Sequence, residues 1–167
     1  REWAAEFLTI GGAGSSDAAQ VLTTATPKAL VDATHTLTQR FADEQPGTRA
    51  TAPVVDGDFL PAYPLDAFAD GTAHPVPLIV GTNSHEGRFF PLFLNIIPTN
   101  PARIEKMFAE TEPRVQARAL AAYPGFPGRL ACADLGGDIV FWEPSVLCAE
   151  GHSRVAPRAD GENTPDE

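Results

Sequence analysis

Leu78, Ile79 and Val80 form a short apolar run set between Pro77 and Gly81, and this stretch limits the fold of the chain more than any other. An unbroken branched-aliphatic run of that length reads as a strand buried on both faces, as in a parallel sheet, and is too short for a helix. Pro77 has no N–H to give to a ladder, so it suits the first residue of such a strand. Beyond Val80 the chain turns polar through Gly81, Thr82, Asn83, Ser84 and His85, then reaches Glu86, Gly87 and the group Arg88-Phe89-Phe90. A strand of this kind delivers its polar loop, Glu86 included, to the carboxyl edge of a sheet, where α/β proteins place their ligands.

Most of the rest has helical spacing. Residues 2–10 place Trp3 and Phe7 four apart with Ala4, Leu8 and Ile10 beside them, before Gly11 and Gly12 stop the pattern. Ser16 or Asp17 can cap a second short helix, and Thr26-Pro27 reads as the cap and first position of a third that runs to about Glu44. That third helix should carry Leu30, Val31, Thr34, Leu37 and Phe41 on one side. Residues 53–61 surround Asp56-Gly57 with β-type side chains, which predicts a short strand or hairpin. Asp56 and Asp58 there read as turn chemistry rather than as paired catalytic carboxylates. A single helical turn is expected over 64–69, and helices from Asn100-Pro101, from Glu112-Pro113, and over 129–153 with a break or restart at Glu143-Pro144. The nearly continuous apolar sequence over 89–97 suits a segment buried inside a larger body.

Two segments, PVVDGDFLP at 53–61 and PLIVGTNSHEGRFF at 77–90, resemble the type B carboxylesterases, the branch of the α/β-hydrolases that includes the cholinesterases. The resemblance implies a partial α/β-hydrolase fold: a mostly helical chain with one buried parallel-type strand and a short strand or hairpin. It also implies a serine hydrolase of carboxylic esters, needing no cofactor and no metal, in which Glu86 is the acid of a Ser-Glu-His triad. Relatives commonly have Asp where His85 precedes that Glu. A further family pattern, D..F..P....A, is matched by Asp138, Phe141, Pro144 and Ala149. Residues 1–157 are thus expected to form part of a carboxylesterase domain. The family would continue after Ala156-Pro157 into an aromatic-rich strand, whereas residues 158–167 have no aromatic or branched aliphatic side chain and read as a disordered tail. A truncation or a change of reading frame after Pro157 would each produce that ending.

Triad hydrolysis requires a nucleophilic hydroxyl and a base as well as the acid. A nucleophile elbow has Gly two residues before and two after its Ser, because the strained turn leaves no room for a Cβ. None of Ser15, Ser16, Ser84, Ser145 or Ser153 stands in that setting. No histidine is followed by Gly as the family's base is: His35 precedes Thr, His74 Pro, His85 Glu and His152 Ser. Only His152 lies far enough beyond Glu86 for the family's chain order, and its place near a helix end suits a satisfied surface residue. His85 sits beside the acid, but neighbouring loop side chains point apart. Glu86 is therefore the one triad member this chain supplies, and the chain by itself is expected to be inactive, with a separate chain carrying Ser and His as a possible complement.

Other chemistry finds no support. Gly12-Ala13-Gly14 lacks the third glycine of a dinucleotide loop, position 89 is Phe where a zinc protease would need His, and no Cys or His pair has metal-site spacing. With 22 acidic against 12 basic residues, a net charge of -10 opposes a phosphate backbone, so nucleic acid is not an expected partner. No apolar run suggests a membrane span and no leader opens the chain, which favours the cytoplasm while leaving the compartment open. Cys132 and Cys148 read as small buried hydrophobes rather than as a disulfide. An alternative from another class is a non-catalytic helical binding module that keeps the hydrolase-like segment as scaffold.

Overall fold

Proline and a polar residue before it start helix after helix in this chain. The computed structural model describes residues 2–11 and 18–155, and these form α1 (Glu2–Ile10), α2 (Ala18–Thr24), α3 (Pro27–Glu44), α4 (Pro64–Ala69), α5 (Glu86–Phe93), α6 (Pro101–Met107), α7 (Pro113–Ala121), α8 (Arg129–Gly137), a π turn (Asp138–Trp142) and α9 (Glu143–Val155). Helices α3, α4, α6 and α7 open on Pro, whose fixed φ and missing N–H cost nothing at the first position. Thr26 Oγ1 accepts from Ala29 N at 3.2 Å and Asn100 Oδ1 from Arg103 N at 3.0 Å, satisfying donors that the first turn leaves open. The caps expected from Ser16 or Asp17 and the tail over 158–167 lie outside the described residues.

The chain divides into two compact units, Arg1–Ala52 with His85–Gly137, and Pro53–Ser84 with Asp138–Glu167. In the first unit α1 packs on α3, with the Trp3 ring edge-on to Phe41 at 4.3 Å, and α5 and α6 pack on α8. The buried side of α3 is Ala33, Leu37, Phe41 and Ala42, so Leu37 and Phe41 fall where the spacing predicts while Val31 is exposed. Arg103 is 5% exposed and gathers the first unit around itself. Its guanidinium donates to Asp43 Oδ1 through Nε at 2.8 Å and through Nη1 to the carbonyls of Asn95 at 2.8 Å and Ile97 at 3.2 Å. Small residues on α8 let backbone approach closely: a Cβ on Gly136 would overlap the Pro98 carbonyl of the buried stretch Ile97, Pro98 and Thr99. In the second unit α4 packs on α9, where Gly151 admits the Phe68 carbonyl, and Gly71, at φ +72°, turns the chain out of α4.

Three expectations are not realised among the described residues. No strand forms among the described residues, and Leu78, Ile79 and Val80 are exposed, with Ile79 101% exposed. A lone strand cannot satisfy its own N–H and C=O groups, and no described segment lies alongside to give it a ladder. Over 53–61 the tight turn forms without flanking strands: Asp56 Oδ1 accepts from the N–H of Asp58 at 3.0 Å and of Leu60 at 3.1 Å, while Leu60 O accepts from Asp56 N at 3.2 Å. These bonds hold the Asp56 carboxyl below its ordinary range, the Asp58 N–H contributing most. The apolar segment over 89–97 is helical as far as Phe93 and largely exposed, with Phe93 at 72% and only Ile97 buried within it.

Candidate functional site

Glu86 is the first residue of α5 and is half-buried, with His85 in the N-cap position. The polar loop expected to hold it therefore ends one residue earlier, and the carboxylate sits in the turn where unpaired N–H groups and the helix dipole favour negative charge. The start of α5 is fixed by backbone contact. A Cβ on Gly87 would overlap the Ala133 carbonyl and lie 2.7 Å from Gly137 N, and a Cβ on Gly137 would lie 2.8 Å from Gly87 Cα. Only glycine at both places lets the two helices touch main chain to main chain.

A two-pronged ion pair closes the same junction. Arg88 donates from Nε to Asp134 Oδ1 at 2.7 Å and from Nη2 to Oδ2 at 2.6 Å, the planar fork matching the planar carboxylate. His85 Nδ1 lies 3.3 Å from the same Oδ1. Arg88 holds the Asp134 carboxyl below its usual range, with His85 a smaller contributor, and the carboxylate in turn raises the guanidinium. His85 thus faces Asp134 on α8. Neither Asp134 nor Arg88 was a sequence-level candidate: they are 46 positions apart, and only the packing of α5 on α8 joins them. A carboxylate held at a rigid helix start can accept an imidazole N–H and stabilise the imidazolium that forms when a hydroxyl is deprotonated.

The second unit holds other residues of interest. Thr82, Asn83, Ser84, Asp138 and Trp142 line a cleft of about 370 Å³. Asp138 and Phe141 of the D..F..P....A pattern lie on the π turn, a widened helical form common at functional sites, and Pro144 follows in the first turn of α9. His152 is not the surface residue its position suggests. It is 7% exposed, its ring lies edge-on to Phe68 at 6.1 Å, and neither ring nitrogen has a hydrogen-bond partner among the described residues. The close approach of α4 at Gly151 draws the adjoining His152 inward with it. Cys132 is buried and Cys148 half-buried, both as free thiols; Cys132 Sγ donates to Pro127 O at 3.4 Å, and burial pushes its pKa up. Among the described residues no group of His, Cys, Asp and Glu converges as metal ligands would, and no helix is long and apolar enough to cross a membrane.

The carboxylesterase family profile matches residues 1–123, well over half of the chain, and the chain belongs to that family. The matched residues include both segments that carried the resemblance, 53–61 and 77–90, while the pattern at Asp138, Phe141, Pro144 and Ala149 lies beyond them. The family is one of ester hydrolases with the α/β-hydrolase fold. Among similar proteins, pyrethroid hydrolase Ces2e of Rattus norvegicus is 53% identical over 38 residues, covering 23% of this chain and 7% of that protein. Liver carboxylesterase 1 of Mus musculus is 29% identical over 116 residues, 59% of this chain and 20% of that protein. Para-nitrobenzyl esterase of Bacillus subtilis is 28% identical over 108 residues, 63% of this chain and 21% of that protein. The chain therefore spans about a fifth or less of the length of these relatives. No solved structure matches it.

Proposed function

We propose that this chain is the acid-bearing part of a serine carboxylesterase, in which Glu86 orients and stabilises the catalytic histidine while the nucleophile and the base come from elsewhere in the complete protein. The substrate class is a small carboxylic ester, and no cofactor takes part. The observation that carries the reading is the setting of Glu86: a half-buried carboxylate at the first position of α5, its helix start clamped to α8 through Gly87 and Gly137 and by the Arg88–Asp134 pair. A triad acid has to hold one orientation while the charge of its partner changes, and a main-chain clamp supplies that. The serine and histidine inventory leaves the isolated chain inactive. Buried strand formation by Leu78 to Val80 belongs to the same reading, since a neighbouring strand from the rest of the protein would provide the ladder these residues lack.

The isolated chain is expected to hydrolyse p-nitrophenyl butyrate no faster than buffer. Mixed with a carboxylesterase polypeptide that carries the nucleophile elbow and catalytic histidine but lacks its own acid segment, it should restore turnover, and Glu86→Gln should reduce that turnover at least about a thousandfold. Restored turnover that survives Glu86→Gln removes the acid assignment. Turnover by the isolated chain, abolished by Glu86→Gln, would mean that the chain holds a nucleophile and base outside the family pattern. The all-helical character of the described residues favours a second reading, a non-catalytic helical binding module. That reading requires a cooperatively melting monomer, whereas the esterase reading predicts association through uncovered apolar residues; size-exclusion chromatography with a thermal melt separates the two.

A further inference from the structure

Helix α3 has a second apolar side that the packing of the first unit does not cover. Its buried stripe runs through Ala33, Leu37 and Phe41, whereas Leu30, Val31, Thr34, His35 and Thr38 line a cleft of about 450 Å³ closed by Arg49, Thr51, Leu94 and Ile96. That volume lies within the range of small-ligand sites. The walls are aliphatic at Leu30, Val31, Leu94 and Ile96. The hydroxyls of Thr34 and Thr38 are spent within the helix, donating to Leu30 O at 2.8 Å and Thr34 O at 2.7 Å. Arg49 and His35 are then the long polar side chains left to address a ligand.

The charge of this cleft runs against that of the chain. A protein with a net charge of -10 places no carboxylate in the lining and puts a guanidinium and an imidazole there. Arg49, like Arg114, Arg118, Arg129 and Arg154, forms no ion pair with a carboxylate among the described residues. We propose that the cleft binds a medium-chain aliphatic carboxylate, with its head group on Arg49 and its tail along Leu30, Val31, Leu94 and Ile96. An exposed cation flanked by aliphatic side chains matches an anion with one apolar tail, a pairing that neither a neutral alcohol nor a short anion reproduces. The inference is independent of Glu86 and of esterase activity.

Isothermal titration of the whole chain at low salt with decanoate, decanol and acetate tests it. Decanoate should bind one per chain, at least tenfold tighter than either comparator. Arg49→Gln should bring decanoate down to the affinity of decanol, Arg49→Lys should keep most of the preference, and Val31→Asp should weaken decanoate at least tenfold. Backbone amide shifts on addition of decanoate should centre on residues 30–38 and 94–96. Retained preference in Arg49→Gln, equal affinity for decanoate and decanol, no saturable binding, or shifts centred elsewhere would each overturn the assignment. Because Arg49 is exposed, its variants should keep the wild-type far-ultraviolet circular dichroism, and the Lys variant separates loss of charge from loss of fold.

Discussion

Arg103 shows how far one side chain can organise a small helical unit. Its charge is buried, yet each hydrogen bond of the guanidinium ends on an oxygen of Asp43, Asn95 or Ile97, so the cost of desolvation is offset by charge-assisted bonds. Arg103→Met should lower unfolding free energy by about 2–3 kcal/mol, read by urea denaturation, because carbonyls bonded to a cation lose their partner while Asp43 can return to water. Asp134 makes a pH-dependent contribution whose sign follows from its partner. Arg88 depresses the folded-state pKa below the ordinary 3.8, so stabilisation by the pair is complete above the unfolded-state value and is lost as pH falls through the lower folded one. The stability difference between wild type and Asp134→Asn should therefore shrink as pH falls below about pH 4. A difference that grows below about pH 4 would contradict the pairing.

At the scale of elements, the decisive contact is between α5 and α8, where main chain meets main chain. Gly87→Ala should destabilise the chain by about 3 kcal/mol or more, since the added methyl meets the Ala133 carbonyl and the Gly137 backbone and no flexible side chain can yield. Melting of Gly87→Ala beside Gly81→Ala, which meets nothing within 4 Å, gives the comparison, and equal effects would show that the helices separate without loss. Helix starts were legible from residue order because capping and proline geometry are local: Thr26-Pro27, Asn100-Pro101 and Glu112-Pro113 each open a helix where expected. The restart at Glu143-Pro144 is likewise visible, although the disturbance falls before it, in the π turn from Asp138 to Trp142. Strands were not legible in the same way, because a ladder belongs to two segments and residue order describes only one. Glu86 could be singled out through its family pattern, while the clamp that holds it, and the Asp134 partner of Arg88, arise only from packing.

At the scale of the whole molecule, exposed apolar side chains set the behaviour in solution. Ile79 and the stacked pair Phe89 and Phe93, with ring centroids 4.5 Å apart, stand in water where a complete core would cover such groups. The chain should associate as its concentration rises, and Ile79→Lys or Phe93→Lys should reduce that association while changing unfolding free energy by less than about 0.5 kcal/mol. Light scattering beside urea denaturation checks both halves of the expectation. By itself the sequence determined membership of the carboxylesterase family, the helix starts, the Asp56-Gly57 turn and the acidic surface, since each depends on residues close together in order or on composition. The tertiary structure decided which of those residues are covered. It buried His152, left Leu78 to Val80 without a ladder, and joined α5 to α8 through paired glycines, because burial and pairing depend on what the far parts of a chain bring alongside.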